Sequence, residues 1–299
     1  MSAAPSTTST SSQPATPVDM RDAWITTPAG RLFARRWTAA AGETTAALPP
    51  IVLFHDSLGC IDLWRDFPAV LCRATGRDVI AYDRLGFGRS DARAGQPPLD
   101  FVAEEARDNL PALRAQLGVQ RFVALGHSVG GGMAAHCAAA DHNGKDSSDC
   151  EALITIAAQA CVEERTLQGI RAAQSQFDSN PEQITRLARY HGGSAERARW
   201  VLNAWVDTWL APAFADWSLE AAMRRVTCPV LALHGELDEY GSAEQPARIA
   251  RWAAGPARVQ MLPGLAHVPH REQPEAVAAL VAQFLVDDAG TSGVAATQK

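Results

Sequence analysis

Ser128 lies in the run Gly126-His127-Ser128-Val129-Gly130, with a glycine two residues away on either side. The run follows an apolar stretch, Phe122-Val123-Ala124-Leu125, and leads into the small-residue segment Gly130-Gly131-Gly132-Met133-Ala134-Ala135. A sharp strand-to-helix turn forces unusual backbone angles on its central residue, and glycines at these offsets remove the side chains that would collide there. Such a turn lifts a serine hydroxyl above a sheet and places it at a helix N-terminus, where unpaired N–H groups favour developing negative charge. The pentapeptide alone recurs by chance, so its place between strand and helix carries the reading.

A serine hydroxyl attacks a carbonyl only when a base takes its proton. Of eight histidines, His267 is best placed: Leu262-Pro263-Gly264-Leu265-Ala266-His267 follows the last apolar run and precedes the last helical segment. Loops at the carboxyl ends of parallel strands carry the sites of such sheets. His270 is the competitor; His127 occupies the variable position of the turn, His136 lies on the following helix, and His191 ends a later one. A third group must fix the imidazole tautomer and stabilise the imidazolium. Asp238, at the end of Val230-Leu231-Ala232-Leu233-His234-Gly235-Glu236-Leu237-Asp238, fits that role, with Glu236 and Glu239 as neighbours. The chain order Ser128, Asp238, His267 agrees with the order expected for a strand-to-helix serine turn.

Parallel strands buried under helices on both faces would gather these residues at one edge. From Pro49 onward, short continuous apolar runs alternate with amphipathic stretches of helical period, which predicts an α/β fold with a mostly parallel sheet. Strands are predicted at 51–54, 79–82, 122–125, 153–156, 230–233 and 259–262, and helices near 62–75, 100–117, 129–140, 243–254 and 273–286. The segment 22–39, alternating around Pro28-Ala29-Gly30, predicts an antiparallel hairpin. Between 161 and 226 there are helix signals and no strand, including Asn180-Pro181 and Gly192-Gly193-Ser194, which predicts a helical lid inserted between core strands. The expected organisation is a disordered tail over 1–21, a core over 22–160 and 227–288 interrupted by the lid 161–226, and a frayed tail over 289–299.

The 299 residues carry a net charge of −6, and their 27 lysines and arginines are scattered, so no electrostatic footprint for nucleic acid is present. No apolar run has membrane-spanning length. The six cysteines fall at irregular spacings without a CxxC, which predicts reduced, structural thiols and a cytoplasmic address. The expected partner is a small molecule; oligomeric state is not encoded in any motif.

With these residues the chain resembles the α/β-hydrolase superfamily over residues 30 to 288, within it the lid-bearing serine hydrolases that include esterases, non-haem haloperoxidases and C–C bond hydrolases. The matching motifs are His55-Asp56-Ser57-Leu58-Gly59, Tyr82-Asp83-Arg84-Leu85-Gly86-Phe87-Gly88-Arg89-Ser90, the Ser128 turn, His234-Gly235 with Asp238, and Gly264 to His267 followed by Pro269-His270. The resemblance implies an eight-stranded sheet, an oxyanion hole formed by the N–H groups of Ser57 and Val129, and a structural role for Asp83 and Ser90. Asp56 departs from the pattern, standing where the family usually has glycine. Serine rather than aspartate at 128 separates the chain from the family's haloalkane dehalogenases and epoxide hydrolases.

The resulting expectation is a serine hydrolase of carboxylic esters or related acyl compounds, working through an acyl-enzyme with Ser128, His267 and Asp238. It needs no cofactor or metal, and the histidines show no HExxH spacing. Alternatives on the same scaffold are a C–C hydrolase, a perhydrolase or haloperoxidase-like enzyme, and a small-molecule receptor. Trp205 and Trp209, four residues apart, share one face of the inserted helices. They are expected either to line an apolar pocket above Ser128 or to glue the insertion to the core.

Overall fold

The computed structural model describes residues 17–39, 48–140 and 149–294. Residues 1–16 of the expected N-terminal tail and 295–299 of the C-terminal one lie outside the described residues.

Strands β1 (Val18–Thr27) and β2 (Gly30–Ala39) form the expected hairpin, closed at the pair Thr27 and Gly30. β1 begins at Val18, inside the tail expected over 1–21, because its residues pair along the whole of β2. The hairpin joins the sheet through the antiparallel pairing of β2 with β4 (Val79–Tyr82). β3 (Ile51–Phe54), β4, β5 (Phe122–His127), β6 (Cys150–Ile156), β7 (Val230–Gly235) and β8 (Ala257–Leu262) are parallel. The order across the eight strands is β1-β2-β4-β3-β5-β6-β7-β8. The direction of winding reverses around β3, and a crevice opens at such a switch point beyond the carboxyl ends of the strands.

Burial on both faces explains the unbroken apolar runs. Val52, Phe54, Ile80, Tyr82 and Ala124 enter one core, and Ile51, Leu53, Val79, Ala81, Val123 and Leu125 enter the other. The first core is closed by the helix Val129–Ala139, by the helical stretch from Phe101 to Leu117 and by Glu244–Trp252. The second is closed by Phe67–Thr75 and Pro274–Val294. Two elements depart from expectation. The helix expected near 62–75 is a 3-10 turn, Ile61–Trp64, and a separate helix, because Arg65 takes a φ of 52° and breaks the run. The final helix continues past residue 288, where fraying was expected, to Val294.

Between β6 and β7 the chain is helical: Glu164–Ser179, Pro181–Ala188, Ala195–Trp209, a 3-10 turn at Pro212–Phe214, and Glu220–Met223. The caps are those the sequence signals. Asn180 Oδ1 accepts Glu182 N–H at 3.0 Å and Ser194 Oγ accepts Arg197 N–H at 3.3 Å. A bridge between Cys161 and Ser218 ties the two ends of this segment together. Its contact with the core is specific. His191 Nδ1 accepts Gly88 N–H at 2.8 Å, its Nε2 donates to Leu58 O at 3.1 Å, and Trp200 Nε1 donates to Gly95 O at 2.9 Å.

Candidate active site

Ser128 follows β5 and takes φ 56° and ψ −129°, the strained turn its glycine neighbours foretell. A Cβ on Gly126 would overlap the Gly130 carbonyl, and one on Gly130 would overlap the Phe54 carbonyl. Both glycines are therefore obligatory for close backbone approach. The Ser128 N–H donates to Ile156 O at 2.9 Å, which pins the turn to β6. The hydroxyl, almost fully buried, donates to Gln159 Oε1 at 3.3 Å.

His267 lies in the loop after β8 and Asp238 in the loop after β7. His267 Nδ1 is 2.9 Å from both carboxylate oxygens of Asp238. Asp238 is buried and also accepts the N–H groups of Tyr240 at 2.8 Å and Gly241 at 3.2 Å. Burial opposes its ionisation, but the hydrogen bond and charge of His267 and the charge of His234 outweigh it and hold the carboxyl below its ordinary value. Among the described residues His267 Nε2 has no hydrogen-bond partner.

Ser57, Ser128, Gln159, Trp205, Trp209, Tyr240 and His267 line one cavity of about 400 Å³. The expected site residues therefore converge, apart from Asp238, which stands behind His267, and Val129, whose buried backbone follows Ser128 directly. Neither Ser57 N–H nor Val129 N–H has an acceptor among the described residues. Trp205 is half-buried, and its ring lies 5.9 Å from that of Tyr240, itself 4.7 Å from the His267 ring. Trp209 is buried and packs edge-on against Phe214 and Trp217 at 5.3 and 5.5 Å. Both rings border the cavity, and both also pack against the apolar core, Trp209 fully and Trp205 in part.

The competitors of these residues are accounted for otherwise. His270 is buried against the rings of Trp64, Phe67 and His127, and burial holds its imidazole well below the ordinary value. Glu236 is exposed and accepts Gly264 N–H at 3.2 Å. Asp83 accepts Ile61 N–H at 2.6 Å and Arg89 N–H at 2.8 Å, and Ser90 Oγ links Asp83 O to Phe33 N–H, so this loop is a structural knot. Sequence reasoning passed over Gln159, although it follows β6 at the same sheet edge. In sequence His127 reads only as the variable position of the turn. Its Nδ1 lies 3.1 Å from Asp56 Oδ2 and its Nε2 lies 2.8 Å from the His267 backbone oxygen.

A family model of the alpha/beta hydrolase fold matches residues 49–274. The chain belongs to this family. Among curated relatives, this α/β hydrolase is 27% identical to a bifunctional esterase/perhydrolase of Acinetobacter calcoaceticus, over 73% of its own length and 85% of the relative's. It is 36% identical over 103 residues to a 1-acylglycerol-3-phosphate O-acyltransferase of Homo sapiens, and there it spans only 28% of the relative's length. Among solved structures, proline iminopeptidase of Mycobacterium smegmatis superposes with a TM-score of 0.69 at 22% identity, covering 91% of this chain and all of the other. The enol-lactonase of Burkholderia xenovorans gives 0.64 at 19% identity over 88% of this chain and all of the other. At these identities the structural likeness concerns the fold. Among the described residues, no helix of this hydrolase is long and apolar enough to cross a membrane.

Proposed function

We propose that this α/β hydrolase cleaves carboxylic esters or closely related acyl compounds through an acyl-enzyme on Ser128. The observation that carries the reading is the pairing of His267 Nδ1 with buried Asp238 at a cavity that Ser128 shares, leaving Nε2 open. Asp238 keeps the proton of His267 on Nδ1, so Nε2 presents a lone pair.

The Ser128 hydroxyl turns from Gln159 to that lone pair when substrate enters; catalytic hydrogen bonds commonly tighten only in the complex. The serine oxygen then attacks the acyl carbon, and its proton passes to Nε2. The N–H groups of Ser57 and Val129 hold the oxygen as it becomes negative, each such donor contributing roughly 2.7 to 4 kcal/mol in serine hydrolases. The imidazolium, stabilised by Asp238, returns the proton to the departing alcohol. Water, deprotonated in turn by His267, releases the acid and restores Ser128.

The substrate is a small molecule whose acyl or aryl portion packs against Trp205, Trp209 and Leu58 in the cavity. The helical segment from 161 to 226 serves as its lid. Likeness to an esterase/perhydrolase along most of the chain supports ester chemistry, and it favours a second reading in which hydrogen peroxide replaces water in the last step.

A panel of 4-nitrophenyl esters and lactones, assayed with wild type and Ser128→Ala, tests the reading. Turnover of at least one ester class that vanishes in the variant is expected; equal turnover in both would overturn it.

A further inference from the structure

Asp56 and His127 form a second aspartate–histidine pair beside the first, and the mechanism above uses neither side chain. Asp56 Oδ1 accepts Leu58 N–H at 2.9 Å, and Oδ2 meets His127 Nδ1 at 3.1 Å and Arg271 at 3.5 Å. On the far side of the ring, Nε2 meets the His267 carbonyl oxygen at 2.8 Å. A carbonyl oxygen only accepts, so Nε2 carries a hydrogen and donates it. Nδ1 faces a carboxylate oxygen, and two bare lone pairs at that distance would repel, so a second proton lies between them. Both ring nitrogens of His127 are thus committed to a joint. Burial works against an ionised Asp56, yet the hydrogen bond and charge of His127 outweigh it and hold the carboxyl well below the ordinary carboxylate range; at His127 burial outweighs the same hydrogen bond and charge and holds the imidazole below its ordinary value.

Three loops meet at this pair. Asp56 directly precedes Ser57 and, through its bond to Leu58 N–H, shapes the turn that presents Ser57 N–H. His127 directly precedes Ser128. The bond from His127 to the His267 carbonyl therefore joins the main chain of the nucleophile to the main chain of the base. Asp238 fixes the His267 ring at Nδ1, but a ring held at one atom still moves with its own backbone.

We propose that Asp56 and His127 are positioning residues for ester cleavage, a strut that sets the His267 main chain relative to Ser128 and holds the Ser57 turn. The proposal rests on the hydrolase reading above. A misplacement of reacting groups by about 1 Å costs on the order of 100-fold in rate, so a strut of this kind acts on kcat rather than on KM. The bland role for the pair is packing, since the His127 ring also lies against Trp64 and His270 at 6.3 and 4.6 Å.

Two substitutions separate the roles, because an asparagine amide nitrogen reaches the place of Nδ1 and a glutamine amide nitrogen the place of Nε2. His127→Asn keeps the joint to Asp56 and loses the one to His267; His127→Gln does the reverse. For a strut, kcat on the best ester falls by about 30- to 100-fold in His127→Asn and by less than about tenfold in His127→Gln, with KM little changed in both. The rate at which a fluorophosphonate labels Ser128 follows the same ranking. Equal losses in both variants, or a larger loss in His127→Gln, would overturn the strut. If His127→Asn does not fold, Asp56→Asn decides: a fall in kcat at constant KM supports the proposal and a wild-type kcat overturns it. If wild type itself neither turns over esters nor takes label, the hydrolase reading fails and the strut with it. An active wild type matched by every variant defeats the strut alone.

Discussion

Asp238–His267 and Asp56–His127 are the same two residue types at similar distances, on neighbouring loops at one edge of the sheet. They differ in what the far nitrogen meets. Both rings border the cavity, but His267 Nε2 has no partner among the described residues, whereas His127 Nε2 is spent on a carbonyl oxygen and its ring is 2% exposed. An aspartate beside a histidine thus does not by itself make a base. In the proposed function the free nitrogen serves as the base and the committed one as a joint.

The bluntest way to break this contrast is to remove the open nitrogen and its target. Ser128→Ala and His267→Ala should each lower ester turnover by up to about 10⁶-fold, the loss seen when a serine nucleophile or its base is deleted. His270→Ala should keep turnover while lowering the melting temperature, since among the described residues that ring packs against Trp64, Phe67 and His127 and has no hydrogen-bond partner. An inactive His270 variant beside an active His267 variant would reverse the assignment of the base. The next effect in size belongs to Asp238→Asn, which preserves shape but favours the wrong imidazole tautomer; the expected loss in kcat is about 10⁴-fold. Glu236→Gln should stay near wild type, because among the described residues its carboxylate meets only Gly264 N–H.

Much of the open pair was legible in the sequence. Gly126 and Gly130 announce a strained turn at Ser128, and Asp238 and His267 each follow an apolar run at the carboxyl end of a parallel strand. Strand ends are one-dimensional features, so the sites they carry can be read in one dimension. The committed pair was not legible, because Asp56 and His127 lie 71 residues apart and nothing in either neighbourhood names the other. Gln159 follows the same strand-end logic after β6, but amides are common in loops and no motif marks it. His191 reads as the end of a helix. Only packing reveals that it fastens the inserted helices to Gly88 and Leu58.

The tryptophans sharpen the contrast between cavity and core. Trp209→Ala should cost roughly 3 to 5 kcal/mol of stability, as truncation of a buried tryptophan does, and lower the melting temperature by several degrees. Trp205→Ala should instead change the ranking of short, long and aromatic esters with a smaller change in melting temperature. An unchanged ranking in both variants would place specificity in the loops of the core.

Acidification probes two histidines that burial keeps neutral. Burial pushes His191 and His136 down to about 4. Their folded values lie below the unfolded value near 6.5, so the unfolded chain gains protons first as pH falls. The stability they contribute is present above about 6.5 and is lost as pH falls toward 4; for His191 the loss is at most roughly 3 kcal/mol. Melting temperature should therefore drop between pH 7 and 5, and His191→Gln, which keeps the donor to Leu58 O, should flatten part of that slope. A slope unchanged in the variant would show that His191 does not carry it.

Peptide mass spectrometry after reaction with a fluorophosphonate probes the proposed nucleophile itself, since the reagent traps a serine only where a base and oxyanion donors activate it. One phosphonyl group per chain is expected, carried by the peptide at Ser128, absent in Ser128→Ala and acquired far more slowly in His267→Ala. Label on another serine such as Ser57, or ester turnover undiminished by a reagent that leaves Ser128 unmodified, would contradict that expectation.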